Sequence, residues 1–238
     1  MAQTVELFDG YTLLQGDDCF PLTTDSVLLA DFLWARPGQR GLEMGCGCGG
    51  LWVLAALHLP GCQLDGVELE PGPLALAREN QARCGLSHRG VLWLGDLRQG
   101  AELRYDFCLC NPPYHRGGAA CQDPARQRAR NQRHTPLEEV CQAAARWLRA
   151  KGSFFFCWPA RQLDQAWQSL GQAGMAPRRL RFVHHRPGAP AYLALVEARR
   201  GAGEQQVLAP LFLQDEEGRE TGEYCRIYHR SPRDTEGG

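Results

Sequence analysis

The chain has 238 residues, 44% of them hydrophobic and 22% charged, with a formal net charge of −1. That balance describes one soluble globular domain and gives no global electrostatic pull toward nucleic acid or a membrane surface. No apolar run approaches the roughly 18 residues of a membrane span, and residues 1–10 lack the basic and apolar regions of a secretion signal, so the expected location is the cytoplasm.

Residues 1–36 predict an N-terminal appendage: a strand over Tyr11–Gln15, then a helix over Ser26–Trp34 capped by Thr24 or Asp25 and stopped before Pro37-Gly38. From there strands and helices alternate. Gly41–Met44 predicts a strand, Leu51–Leu59 a helix, Gln63–Val67 a strand, and Pro73–Cys84 a helix closed by Gly85. Val91–Leu94 and Phe107–Cys110 predict the next two strands. Leu137–Ala150 predicts a helix, Ser153–Trp158 an aromatic-rich buried strand, and Gln162–Ala173 a further helix. Arg179–His184 and Tyr192–Ala198 predict a terminal antiparallel pair, and residues 215–238 a polar, frayed tail. Repeated βα units imply an α/β fold: a mainly parallel sheet with right-handed crossovers and helices on both faces, in a single domain over 1–238. Ligands in such sheets bind beyond the carboxyl ends of the strands.

The eleven cysteines are odd in number, lie mostly in apolar stretches and include no Cys-x-x-Cys pair. Reduced buried thiols are expected, and neither a disulfide framework nor a metal site. Positive charge is almost all guanidinium, since Lys151 is the only lysine. Arginines cluster at Arg116, Arg126, Arg128, Arg130 and Arg133, and again at Arg178, Arg179, Arg181 and Arg186 beside His184 and His185.

Two segments carry the chemistry. Glu43-Met44-Gly45-Cys46-Gly47-Cys48-Gly49 follows a strand and opens a helix. Glycine is needed there because the backbone must turn sharply and admit a cofactor without side-chain obstruction. With Glu68 ending the next strand as acceptor for ribose hydroxyls, this loop serves a dinucleotide enzyme as well as an S-adenosylmethionine enzyme. Asp96 ends the third strand, where it can accept from an adenine amino group or cap the turn that follows.

Asn111-Pro112-Pro113-Tyr114 separates these readings. Two prolines cannot continue a central strand. They can fix a rigid corner in which the Asn111 side-chain oxygen and the Pro112 carbonyl accept both hydrogens of a planar NH2 group while Tyr114 stacks on its flat system. Such a nitrogen is a poor nucleophile because its lone pair is delocalised, and two acceptors would localise that pair toward a methyl donor. Hydride transfer has no use for this corner.

On these motifs the chain resembles the class I S-adenosylmethionine-dependent methyltransferases with an Asn-Pro-Pro-Tyr turn, and within them the adenine-N6 methyltransferases of a valine tRNA anticodon loop. The resemblance runs from about Leu13 to Ala198. It is supported by Thr24-Asp25-Ser26-Val27-Leu28-Leu29 and by Pro124-x-Arg126-x-x-Ala129-Arg130, and it departs from the family at Thr23, where glycine is expected. It implies a Rossmann-like, seven-stranded, mainly parallel sheet and S-adenosylmethionine as cofactor. Cofactor contacts would come from Thr24, Asp25, Glu43, Gly45 and Gly47, with Glu68, Asp96 and Asn111 completing them. Asn111, Pro112 and Tyr114 would be catalytic, and Tyr114, Arg116, Arg126 and Arg130 would meet the substrate. The implied partner is RNA, tRNA in particular, bound by a monomer without a metal.

Four rivals remain at this point. A protein glutamine-N5 methyltransferase would use the same corner on a carboxamide, although only about 40 residues precede the glycine strand here, which favours nucleic acid. A guanine-N2 rRNA methyltransferase is a nearer relative. A dinucleotide-dependent oxidoreductase is the rival of another class, and a non-enzymatic tRNA-binding module is a weaker one.

Overall fold

The computed structural model describes residues 2–16, 19–99, 104–114, 135–201 and 203–231. An antiparallel hairpin of β1 (Gln3–Glu6) and β2 (Thr12–Gln15) precedes the helix α1 (Thr24–Phe32). Then follow β3 (Arg40–Met44), α2 (Gly50–His58), β4 (Gln63–Glu68), α3 (Pro71–Arg83), β5 (Leu92–Leu94) and β6 (Tyr105–Cys110). The second half contains α4 (Leu137–Trp147), β7 (Leu148–Pro159), α5 (Leu163–Gln172), β8 (Met175–His184) and β9 (Ala191–Arg200). Short strands β10 (Gln206–Val207) and β11 (Leu211–Phe212) and the helix α6 (Gly222–Ile227) follow.

Strands β3 to β11 form one sheet, ordered β10-β8-β9-β7-β6-β3-β4-β5, with β11 also on β8. Neighbours from β5 through β7 are parallel, and β9 runs antiparallel between β7 and β8. The expected seven strands form the continuous body. Two two-residue strands extend it because β8 would otherwise leave an edge unpaired, and both take β8 as a parallel partner. The chain crosses from β5 at one edge back to β6 beside β3, so the crevice between β3 and β6 is the topological switch point.

Side-chain parity divides the core into two layers. Phe107 and Leu109 of β6 and Phe155 and Cys157 of β7 join the cluster formed with α1, α2 and α3. Cys108 and Cys110, with Phe154, Phe156 and Trp158, join the cluster formed with α4 and α5. Phe154, Phe155 and Phe156 are fully buried, each contributing about 1.5–3 kcal/mol of hydrophobic stabilisation. The apolar run read as a core strand is therefore buried on both faces. No helix among the described residues is long and apolar enough to cross a membrane.

Buried polar groups join these layers. The guanidinium of Arg89, 7% exposed, donates to the carbonyls of Ala56 in the last turn of α2 and of Leu59 and Cys62 beyond it, where a cation also meets the helix dipole. Fully buried Glu197 accepts from Trp34, Ser153, Arg179 and Arg199, and these donors outweigh burial, so its carboxyl sits below the ordinary range. Arg181 pairs with Glu223 of α6, and the Arg178 guanidinium donates to the Gly201 carbonyl. Three members of the later arginine group are thus occupied in the scaffold. His184 bonds to the Ala189 carbonyl at 2.7 Å, and His185 stacks on Tyr192 at 4.3 Å.

Residues 215–230 do not fray as expected. Thr221 caps α6 by accepting from the Tyr224 N–H, and Cys225 and Ile227 are buried. The ten described cysteines are free thiols, nine of them buried.

Candidate active site

The site lies at the carboxyl ends of β3, β4 and β6. Beyond Met44 the chain turns so tightly that the N–H groups of Gly45 and Cys46 both bond to the Val67 carbonyl, at 2.9 and 3.0 Å. Gly45 and Gly47 adopt φ of 74° and 54°, and a Cβ placed on either would meet no protein atom within 4 Å. The left-handed backbone favours glycine there, and the open space above it is where a ligand can approach the main chain. Glu68, at the end of β4, holds the loop by accepting from the Gly47 N–H at 2.8 Å and from the Glu70 N–H at 2.9 Å. Each of its oxygens retains a second acceptor position for a ribose hydroxyl.

Glu43 lies beneath this loop, 3% exposed, with its Oε2 atom buried and unpartnered among the described residues. Burial first, and the neighbouring Glu68 second, push its carboxyl well above the ordinary value. An acid so placed is poised for a cationic ligand, whose charge would favour the ionised form. The same shift governs stability. Above about pH 4.3, where an unperturbed glutamate ionises, the unfolded chain loses the proton while the folded protein keeps it. The folded state then binds more protons, so stability falls as pH rises until the raised value is passed. Glu43→Gln should remove that slope and be more stable than wild type above the window. Urea midpoints of both proteins across pH 4 to 8 measure it, and parallel curves would refute the assignment.

The cysteines around the glycine loop are not nucleophiles. Burial raises the Cys46 and Cys110 thiols, with the Glu43 charge second, and a hydrogen bond with Cys19 raises Cys48. Thiols held protonated are inert. Asp96 is fixed by Arg98, which donates from its backbone N–H and its guanidinium; that side-chain bond, first among the causes, keeps the Asp96 carboxyl below the ordinary range. It therefore caps the turn Leu97–Gln99.

Asn111 follows β6 in the switch-point crevice, and Pro112 behind it is buried. The Asn111 amide donates to Ser26 Oγ at 2.8 Å and accepts from Cys157 Sγ at 3.0 Å. The Tyr114 hydroxyl donates to the carboxylate of Asp25, and its ring meets Trp158 edge-on at 5.7 Å between centroids. Thr24 accepts from the Tyr228 hydroxyl at 3.3 Å. Asp25, expected beside the cofactor, has the tip of Tyr114 as a partner, and Ser26 next to it holds Asn111. The start of α1 thus docks directly on the Asn-Pro-Pro-Tyr turn.

The structure brings together Asp25, Glu43, Gly45, Gly47, Glu68 and the Asn111–Tyr114 turn at one rim. Arg116, Arg126 and Arg130 lie outside the described residues. Sequence reading missed Ser26, Cys157 and Trp158. Ser26 looked like a helix residue, and the other two looked like core positions of a buried strand. Among the described residues no group of three or more metal-binding side chains occurs.

Residues 22–167 match the family model of the methyltransferase small domain. A tRNA1(Val) (adenine(37)-N6)-methyltransferase of Yersinia pestis strain Pestoides F is 32% identical over 208 residues, covering 86% of this chain and 84% of that protein. Among solved structures, a predicted O-methyltransferase of Agrobacterium tumefaciens superposes with a TM-score of 0.67 at 17% identity, covering 89% of this chain and all of that one. An O-methyltransferase of neocarzinostatin biosynthesis, crystallised with S-adenosylmethionine, gives a TM-score of 0.53 at 17% identity over 73% of this chain and 52% of that one.

Proposed function

The chain belongs to the methyltransferase small-domain family as a class I S-adenosylmethionine-dependent methyltransferase, and from that premise we propose that it methylates the exocyclic N6 amine of an adenine in tRNA. The residues present fit the cofactor. Its vicinal ribose hydroxyls suit Glu68, its cationic end suits the orphaned carboxyl of Glu43, and the open glycines 45 and 47 leave room for it against the main chain. When bound, the cofactor supplies an electrophilic methyl on a sulfonium.

The protein's own part is positioning. The Asn111 side-chain oxygen and the Pro112 carbonyl accept the two N6 hydrogens, drawing the lone pair out of the adenine ring. Tyr114 stacks on the base and fixes it in line with the donor. Methyl transfer to the amine so held would leave the nitrogen with one proton to shed to water. No charged base is needed, because the amine becomes acidic only as it is alkylated. The observation that carries this reading is the uncharged, proline-fixed turn at the switch point, whose amide is held by neutral side chains on both sides. What favours adenine over other planar amines is the likeness to the Yersinia enzyme at 32% identity. The base must leave its stack to reach such a corner, as an anticodon-loop base can. Arg116, Arg126 and Arg130 would meet the phosphates on either side, which makes binding salt-dependent.

The test is incubation with labelled S-adenosylmethionine and separate tRNA, rRNA and protein pools, read by nucleoside and amino-acid mass spectrometry. N6-methyladenosine in the tRNA pool is expected. Label recovered as N2-methylguanosine in rRNA or as N5-methylglutamine in protein would replace the adenine reading.

A further inference from the structure

We infer that Ser26 and Cys157 are positioning residues that fix which end of the Asn111 amide is presented to the methyl acceptor. This rests on the reading of Asn111 as the amine's hydrogen-bond acceptor. The parity of β6 turns Asn111 to the same side of the sheet as Phe107 and Leu109, the face covered by α1. On β7, Phe156 pairs with Cys110, so Cys157 stands beside Asn111 and faces the same layer. Ser26, in the first turn of α1, closes the third side. The amide therefore sits between a hydroxyl at 2.8 Å on its nitrogen and a thiol at 3.0 Å on its oxygen. Ser26 is 6% exposed and Cys157 fully buried, so water does not replace either partner.

The arrangement matters because an amide has two unlike ends. Turning Asn111 by 180° about its Cβ–Cγ bond exchanges an acceptor for a donor while leaving its shape nearly unchanged. A flipped Asn111 would point NH2 at the substrate NH2 and could not draw out its lone pair. Cys157 opposes the flip, since it would set Asn111 Nδ2 against the thiol, a poor acceptor, while Ser26, whose hydroxyl can accept or donate, anchors the other end of the amide in place. The amide oxygen accepts two hydrogen bonds, so the thiol bond leaves its second lone pair for the substrate amine. The thiol also suits the site by its weakness: a stronger donor would draw more electron density from the oxygen that must accept from the substrate.

The chain contains three asparagines, Asn80, Asn111 and Asn131, so selective ¹⁵N labelling of asparagine yields three side-chain NH2 pairs. The Asn111 pair is identified by its loss in Asn111→Ala. In Ser26→Ala and in Cys157→Ala this pair should shift and broaden while the buried Asn80 pair stays in place, which reports an intact fold. With RNA as acceptor both variants should lower kcat about tenfold, the effect of one hydrogen bond to a reacting group, with KM and cofactor affinity within about twofold. Ser26→Thr, which keeps the hydroxyl, and Cys157→Ser, which keeps a donor to the Asn111 oxygen, should restore the rate to within about threefold. An unmoved Asn111 pair, or a kcat equal to wild type in the alanine variants, would overturn the inference. If wild type labels only guanine or glutamine, the adenine reading falls, and the same kcat comparison on that acceptor still decides the roles of Ser26 and Cys157.

Discussion

Asn111→Ala should abolish methyl transfer while leaving cofactor affinity within about tenfold, or 1.4 kcal/mol. The separation is expected because the two functions rest on different strands. In the proposed site the cofactor would be held from β3 and β4, through Glu43, Gly45, Gly47 and Glu68, whereas Asn111 stands at the end of β6. Removing one preorganised hydrogen-bonding group from a developing charge costs on the order of 10²–10³ in rate. Here the loss should exceed that, because the alanine also leaves Ser26 and Cys157 without their shared partner. Asn111→Asp is the informative companion. It keeps an acceptor toward the substrate, and the Ser26 hydroxyl can turn to donate to it, so a measurable residual rate should survive. Single-turnover rates and calorimetric titration with S-adenosylmethionine separate the two quantities. Normal turnover in Asn111→Ala would end the amine-acceptor mechanism.

The parts legible in the sequence are those whose signal is local. Glycines 45 and 47 announce their backbone angles, and Pro112-Pro113 forbids continuation of β6 wherever the chain is placed. Ser26 and Cys157 have no such mark. Their meaning comes from meeting Asn111 across 85 and 46 positions of sequence, a distance no periodicity spans. The same contrast runs through the fold. The helix read over Leu137–Ala150 ends at Trp147, because Leu148 pairs with Tyr105 and draws Leu148–Lys151 into β7. Residues of adequate helix propensity are overridden there by the sheet. β10 and β11 are two residues long and owe their state to the free edge of β8. The tail looked polar because Tyr224, Cys225 and Ile227 are too few to mark a helix until β11 and α1 supply the surface they cover.

The second large effect concerns a residue remote from the chemistry. Asn80→Asp should lower the unfolding free energy by about 3–5 kcal/mol at neutral pH, the cost of leaving an uncompensated charge in the interior. Asn80 is fully buried on α3. Its Oδ1 accepts from the Leu14 N–H at 2.6 Å, and its Nδ2 donates to the carbonyls of Leu14 and Cys48, both at 2.8 Å. One amide thus ties the N-terminal hairpin, the glycine loop and α3 together, so the hairpin is bound into the core through β2. An aspartate is nearly the same shape but has no donor. It would set a carboxylate against two carbonyl oxygens and leave both without a partner, each a further penalty in a site water does not enter. Protonation would supply one donor, so the deficit should narrow as pH falls, the opposite of ordinary acid destabilisation. Cys48 lies between the two glycines 47 and 49, so the folded fraction should also bind S-adenosylmethionine more weakly, by about tenfold. Urea midpoints at pH 5 and 8 test the first effect, and calorimetric titration under native conditions tests the second. A variant as stable as wild type would mean that β2 and the glycine loop are held independently of α3.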